Sequence, residues 1–242
     1  MRFIGVDLAW GGRRASGLAV LDPDGVVVDQ GWEASDGEIG DFLAAHDRDG
    51  AVVALDAPLV VGNPAGTSRG CEKELQRRYG RAGAGPDPAN LGLLGGRVRA
   101  MELVGRSQRP YLTVPRDPGR GEGWWALEVF PAPALVELGR LERAVRYKKG
   151  PVEARRAGLR AVAGILGGLA GAVPPLRLDP AGTLAGELGR LDELRGAGLK
   201  AVEDLADAHV CAYVGLWWWT HGRAVTLVAG DDATGAILVP RP

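Results

Sequence analysis

The first 60 residues alternate between short apolar runs and turn signals. Three runs of strand length cover residues 2–9, 16–22 and 26–32. Ser35 followed by Glu38 has the spacing of a capping box, which predicts the start of a helix that ends by Gly50. The next run, residues 51–56, is continuously apolar up to its final aspartate, as expected for a parallel strand covered on both faces. The pattern predicts three antiparallel strands, a crossover helix and a central parallel strand.

From residue 60 to residue 124 the chain is rich in glycine, proline and arginine, with helices predicted at 70–79 and around 94–104. We interpret this stretch as an insertion within a single domain that spans residues 1–242. A short strand at 126–130 follows. Further helices are predicted at 132–141, 151–169, 184–194 and 199–219, before a closing hairpin of residues 225–229 and 236–239. The chain is therefore predicted to be an α/β domain whose mixed central sheet has helices on both faces.

The composition indicates a protein of the cytoplasm that does not enter membranes. A chain of 242 residues can bury a core without disulfides. Cys71 and Cys211 are far apart and lack the spacing of metal ligands, which favours reduced thiols. The N-terminus has the pattern of a strand, not of a signal peptide. The apolar stretch 210–219 is about half the roughly 20 residues that cross a bilayer.

Charge is distributed unevenly, although the formal net charge is only −1. Residues 69–160 contain 19 Lys and Arg against 10 Asp and Glu, and the rest of the chain contains 10 against 20. A polyanion could bind the basic middle of the chain. Alternatively, the arginines simply cover solvated helix faces. The salt dependence of binding distinguishes the two.

Acidic residues fall at the positions that carry chemistry in the RNase H-like fold, whose element order this pattern follows. Asp7 ends the first strand, Asp56 ends the fourth and Glu128 lies on the fifth. Asp204 and Asp207 are three residues apart on the last helix and share a face. The ends of parallel strands meet at one edge of a sheet. Carboxylates gathered there repel one another unless a cation lies between them, which predicts a Mg²⁺ or Mn²⁺ site.

Two such ions can flank an in-line displacement at phosphorus, so the predicted activity is phosphodiester hydrolysis by a two-metal mechanism. Each acid also has a structural interpretation. Asp7 and Asp56 could cap the turns that follow them, and Glu128 could form a salt bridge with an arginine. Asp204 could lie on an ordinary helix surface, whereas the apolar neighbours of Asp207 favour an inward side chain.

Six short motifs occur in order along nearly the whole chain: Gly5 to Trp10, Leu55 to Leu59, Arg69 to Glu72, Glu128 to Ala132, Tyr147 to Lys149, and Asp204 to Ala208. Together they resemble the domain of unknown function 429 family of predicted RNase H-like nucleases. The resemblance implies the acid pattern of RuvC-type resolvases, which have one acid on the first strand, one on a central strand and two on the last helix. Asp7, Asp56, Asp204 and Asp207 match it, although the central acid here is Asp where those resolvases commonly have Glu.

Basic residues within these motifs suggest a nucleic-acid substrate. Arg69, with Arg77 and Arg78 from the same insertion, could clamp phosphates bidentately. Lys148 and Lys149 could supply further positive charges. The alternative for all five is a solvated face of the protein.

Three consecutive tryptophans end the last predicted helix at residues 217–219. Successive helical residues point about 100° apart, so one or two of the three are expected to be exposed. They could stack on bases, form a homodimer interface or cover the closing hairpin.

Two other functions remain open. An actin-like or sugar-kinase-like phosphotransferase shares the strand order and an aspartate on its first strand, but that architecture needs two such domains and a glycine-rich phosphate loop. A binding or scaffold protein could retain the fold without catalysis, in which case the acids would persist as structural ion pairs.

Overall fold

A computed structural model of the protein describes residues 1–9, 14–113 and 123–242. Within them one mixed sheet contains the strands β1 (Arg2–Asp7), β2 (Ser16–Leu21), β3 (Val27–Glu33), β4 (Ala51–Leu55), β5 (Trp124–Val129), β6 (Thr226–Asp231) and β7 (Gly235–Pro240). The strand order is β3-β2-β1-β4-β5-β7-β6. Strands β1 to β3 are antiparallel, β4 and β5 continue parallel to β1, and β7 pairs parallel to β5. This is the α/β RNase H-like fold that the sequence predicts.

Helices cover both faces of the sheet. They are α1 (Asp36–His46), α2 (Gly70–Tyr79), α3 (Arg99–Gly105), α4 (Pro131–Leu138), α5 (Val152–Gly168), α6 (Thr183–Gly189) and α7 (Gly196–His221). Successive residues of a strand face opposite sides of a sheet. Phe3 accordingly packs in the core formed with α4, α5 and α7, and Ile4 packs in the core formed with α1 and α3. Phe3 and Ile4 are both fully buried although they face opposite sides of the sheet, which explains why the central strands are continuously apolar.

Several predicted boundaries differ from the structure. Helix α3 begins at Arg99, not near residue 94, because Gly95 and Gly96 adopt positive φ angles that a helix cannot contain. Strand β5 begins at Trp124, so the predicted insertion, residues 60–124, ends one residue too late. Helix α6 ends at Gly189 although its predicted end is residue 194. Trp10 of the first motif and residues 114–122 of the insertion lie outside the described residues.

Helix α7 lies directly against β1, β2 and β4. A β-carbon on Gly5 in β1 would collide with the backbone carbonyl of Ala208, and one on Gly17 in β2 would collide with the carbonyl of Asp204. The two glycines therefore allow the helix backbone to touch the sheet. This close approach determines where the acidic residues of α7 lie relative to the ends of the strands. Within the described ranges, no helix is both long and apolar enough to span a membrane.

The three consecutive tryptophans are not exposed, so the expectation of one or two exposed rings is wrong. Trp217 and Trp218 are buried and Trp219 is partly buried. The Nε1 atom of Trp217 donates a hydrogen bond to the carbonyl of Val225 at 3.0 Å, next to the closing hairpin. The rings of Trp218 and Trp219 pack against Trp125 of β5, with centroids 6.1 and 5.1 Å away. Contacts with β5 and with the residues before the closing hairpin therefore give all three rings a surface to bury against.

Candidate metal centre

Three neighbouring parallel strands bring acidic residues to one edge of the sheet. Asp7 ends β1, Asp56 follows β4 directly, and Glu128 lies near the end of β5. Helix α7 crosses the same edge with Asp204 and Asp207. A cavity of ≈ 1060 Å³ opens here, and four of these five acids line it, Asp207 being buried beneath. The predicted convergence of the acids at one edge is thus observed.

Asp7, Asp56 and Asp207 form the tightest acidic group, which we call the acid triad. One carboxylate oxygen from each lies within 4.8 Å of the other two. Asp207 is fully buried, and the other two are partly buried. Three oxygen ligands at this spacing suit a hard divalent ion such as Mg²⁺ or Mn²⁺, which completes its coordination with water.

Burial and mutual repulsion shift the pKa values of two members of the acid triad. Burial raises the pKa of Asp7 well above its usual range, and the neighbouring Asp207 and Asp56 raise it further. Burial also raises the pKa of Asp56, to about 6, although Lys148 opposes the shift. The Oδ2 atom of Asp7 is shielded from solvent and has no hydrogen-bond partner among the described residues. A buried oxygen without a partner is costly, so the donor set fits a cation.

Lys148 and its neighbour Tyr147 hold the buried end of the acid triad. The Nζ atom of Lys148 lies 2.6 Å from Oδ2 of Asp207 and 3.7 Å from Oδ2 of Asp56. The hydroxyl of Tyr147 donates to Oδ1 of Asp207 at 2.6 Å. Burial disfavours the charge of Lys148, but the nearby Asp207 raises its pKa overall. Burial, with Asp207 beside it, also raises the pKa of Tyr147, which stays a neutral donor.

Asp204 lines the cavity but has its own cation. Lys200, one turn earlier on α7, forms ion pairs with Asp204 and, at 2.7 Å, with Oε1 of Glu203. Arg155 also reaches Glu203 at 3.4 Å. These two acids are consequently compensated by two basic residues.

Glu128 forms a salt bridge with an arginine, which is the structural role that the sequence allows for it. Its carboxylate accepts hydrogen bonds from Nη2 and Nη1 of Arg69 at 2.6 and 2.8 Å and from the backbone N–H of Leu59 at 3.0 Å. Arg69 also donates from Nε to Oε1 of Glu72 at 2.7 Å. Arg69, predicted to clamp phosphate, lines the cavity, and its buried guanidinium is engaged by the two carboxylates.

Glu72 is a member of this network that sequence reasoning missed. Its carboxylate accepts from the backbone N–H groups of Arg69 and Ala89, each at 2.9 Å. It therefore ties the start of α2 to the loop that follows that helix. A glutamate at the third position of a helix can accept from the backbone N–H of the residue before the helix, and this position of Glu72 in α2 is the signal that could have revealed it.

The remaining basic residues separate into two groups. Arg77 and Arg78 are exposed on α2 away from the cavity, and Arg78 pairs with Glu74 at 3.1 Å. Lys149 does line the cavity, as do Arg14 and Arg146, which were not predicted. Neither Lys149 nor Arg146 forms an ion pair with an acid in the described part of the chain. The cavity wall therefore carries positive charge that is available to an anionic ligand.

Comparison with known proteins yields one family. The family model described as "Protein of unknown function (DUF429)" matches residues 5–233. The chain matches none of the curated proteins and none of the solved structures with which it was compared.

Proposed function

Because the chain belongs to the DUF429 family, whose function is unknown, we propose its activity from its own geometry: hydrolysis of phosphodiester bonds in a nucleic acid with the help of a divalent metal ion. The observation that carries this proposal is the acid triad, whose three carboxylates lie within 4.8 Å of one another at the edge of a cavity. The ammonium of Lys148 contacts two of its members, Asp207 and Asp56.

The charge of the acid triad supports a divalent ion. Burial and the neighbouring Asp207 and Asp56 raise the pKa of Asp7, and its buried Oδ2 atom has no hydrogen-bond partner among the described residues, so a cation beside it would be stabilising. Asp7, Asp56 and Asp207 would each supply one oxygen ligand. Such an ion lowers the pKa of a bound water and offsets the negative charge that develops at phosphorus.

The protein itself positions the substrate. A phosphate group bound in the cavity of ≈ 1060 Å³ would lie beside the acid triad, and Arg14, Arg146 and Lys149 line the cavity wall. Hydrolysis requires a water oxygen to bond to phosphorus while the bond to the departing oxygen breaks. The basic wall attracts the phosphates on either side of that bond. DNA and RNA both present such phosphates.

The proposal includes a cytoplasmic location. Both cysteines are free and buried, Cys71 within α2 and Cys211 within α7. Reduced thiols are the usual state in that compartment.

Cleavage assays test the proposal directly. Purified protein with Mn²⁺ or Mg²⁺ is mixed with labelled single-stranded, duplex and branched DNA and RNA. We expect cleavage that EDTA abolishes and that Asp7→Asn and Asp207→Asn each reduce by at least about 100-fold. Asp49→Asn, an exposed aspartate before β4 at the other end of the strand, is the matched control and keeps full activity.

Other outcomes identify the alternatives. Stabilisation by a nucleoside triphosphate without any cleavage would support a phosphotransferase. The absence of both cleavage and nucleotide binding would support a non-catalytic scaffold, and in either case the nuclease proposal would be wrong.

A further inference from the structure

We propose that a polynucleotide bound in the cavity continues outside it along a strip of exposed basic side chains, so that the substrate is a nucleic-acid chain and not a small phosphodiester. We call Arg81, Arg143, Arg146 and Lys149 the basic strip, and all four are exposed. The inference rests on the proposed function, because the basic strip begins in the same cavity.

The inner part of the basic strip belongs to the segment that contacts the acid triad. Arg146 and Lys149 both line the cavity. Between them in the chain, Tyr147 is buried and its hydroxyl donates to Oδ1 of Asp207 at 2.6 Å. Helix α5 packs closely on this segment, because a β-carbon on Gly158 would collide with the carbonyl of Arg146. The two basic residues are therefore held on the wall beside the acid triad.

The outer part lies where two loops join. The backbone N–H of Ala144 donates to the carbonyl of Ala82 at 2.7 Å, which connects the segment after α4 to the loop after α2. The two alanines also pack in one apolar cluster. Arg81 and Arg143 each precede one of the joined residues, so the junction brings their positions together. Neither arginine lines the cavity, although Ala144 does. The pair therefore extends the basic surface beyond the cavity.

The charges of the basic strip are available to a ligand. None of its four side chains forms an ion pair or a hydrogen bond within the described part of the chain. Other exposed arginines, such as Arg97 and Arg160, do pair with acids. The exposed acids beside the strip are Glu142, in the same segment, and Asp87, on the cavity wall, so the basic side chains outnumber them. Such a surface attracts the phosphates of a nucleic acid whatever its sequence.

The position of the two outer arginines leads to a specific expectation. A small phosphodiester occupies the cavity alone, whereas a polynucleotide also reaches Arg81 and Arg143. Contacts to phosphates position a nucleic acid without reading its bases. Loss of these two arginines should consequently weaken the binding of polynucleotides of any sequence and leave a small phosphodiester unaffected.

Binding measurements test the basic strip without depending on activity. Fluorescence anisotropy in EDTA, at several salt concentrations, follows a labelled DNA single strand of about 30 nucleotides. We expect Arg81→Gln/Arg143→Gln to bind at least about 10-fold more weakly and to reduce the salt slope by about 1.4, since each phosphate contact of a single strand contributes about 0.7. The matched control is Arg48→Gln/Arg177→Gln. It removes the same charge from exposed arginines that have no described side-chain partner, and its affinity should stay within about twofold of the natural value.

Kinetic measurements with Mn²⁺ separate the outer arginines from the cavity. Both double variants should hydrolyse bis(p-nitrophenyl) phosphate at the natural rate. For the oligonucleotide, Arg81→Gln/Arg143→Gln should raise KM by at least about 10-fold with kcat unchanged, because the lost contacts bind the ground state and the transition state equally.

The outcomes separate the inference from the proposed function. Equal binding by the natural protein and Arg81→Gln/Arg143→Gln, or an equal loss in the control, would overturn the basic strip even if cleavage were observed. A selective loss of binding, without cleavage of any nucleic acid, would support the basic strip and contradict the nuclease proposal. No binding by the natural protein would overturn both. Circular dichroism establishes that each variant is folded. If the double variant does not fold, Arg143→Gln alone, with about half the change in salt slope, decides the matter.

Discussion

Two clusters of acids lie side by side at the same edge of the sheet and compensate their charge in opposite ways. Around Arg69, two carboxylates share one guanidinium, and backbone N–H groups occupy their remaining acceptor sites. In the acid triad, the ammonium of Lys148 lies 2.6 Å from Asp207 and 3.7 Å from Asp56, and Oδ2 of Asp7 has no hydrogen-bond partner among the described residues. Both clusters are built from strand ends and helix residues. The buried oxygen of Asp7 distinguishes the candidate site from the structural network.

The pKa values reflect this difference. Burial raises the pKa of Glu128, but the hydrogen bonds and the charge of Arg69 oppose the shift. Burial also raises the pKa of Asp7, and there the neighbouring Asp207 and Asp56 add to the shift. Removing a charge should therefore weaken the Arg69 network and relieve the acid triad.

The largest expected effect is on the Arg69 network. Arg69→Met leaves Glu128 and Glu72 buried without their cation, which should lower the free energy of unfolding by about 3 to 5 kcal/mol. Urea denaturation measures the change. Arg78→Met is the control, since Arg78 is an exposed partner of Glu74, and it should change stability by less than about 0.5 kcal/mol. Equal effects of the two variants would contradict the structural role of Arg69.

A smaller loss is expected from the other side of the same network. Glu128→Gln removes the charged acceptor for Arg69 and should lower the free energy of unfolding by about 2 kcal/mol. Thermal and urea denaturation both report it. Glu142→Gln, at an exposed position, is the control and should leave stability unchanged. If Glu128→Gln had the same free energy of unfolding as the natural protein, Glu128 would not be a structural partner of Arg69.

Removing a charge from the acid triad should increase stability, in contrast to the Arg69 network. Asp7→Asn removes one of three mutually repelling charges and should raise the free energy of unfolding of the metal-free protein, on the order of 1 kcal/mol. The same variant should lose the stabilisation that Mn²⁺ gives to the natural protein. Denaturation with EDTA and with Mn²⁺ measures both effects. A loss of stability in EDTA, as expected for Glu128→Gln, would show that Asp7 is a structural residue.

The smallest effect concerns pH. An acid whose pKa is raised by folding keeps its proton in the folded state when the unfolded chain has already lost it, so stability falls as pH rises through that interval. With the pKa of Asp56 at about 6, the metal-free protein should lose on the order of 0.5 kcal/mol between about pH 6 and about pH 7.5. Mn²⁺ competes with those protons, so its stabilising effect should grow with pH. A metal effect independent of pH would contradict this picture.

The sequence contains enough information for the fold because local signals and burial agree. The capping box of Ser35 and Glu38 forms as predicted, and α2 has its predicted bounds. Continuous apolar runs identify β1 and β4, and their parallel pairing brings Asp7 and Asp56 to one edge. These features depend on short stretches of chain, which a pattern of residues can reveal.

Other features depend on contacts between distant segments. Arg69 contacts Glu128, which lies 59 residues later in the chain, because the insertion packs over the end of β5. The sequence of the insertion does not predict this contact. Lys148 was expected to bind phosphate, yet the packing of its segment against Gly158 holds it beside Asp207. The tryptophans of α7 are buried because β5 and the hairpin supply surfaces on more than one side. In each case the environment, not the residue type, determines the role.

Anomalous diffraction from crystals grown with Mn²⁺ tests the central claim most directly. The account predicts a strong peak among the carboxylate oxygens of Asp7, Asp56 and Asp207. A map without a peak at the acid triad, at a Mn²⁺ concentration that saturates binding in solution, would contradict the account.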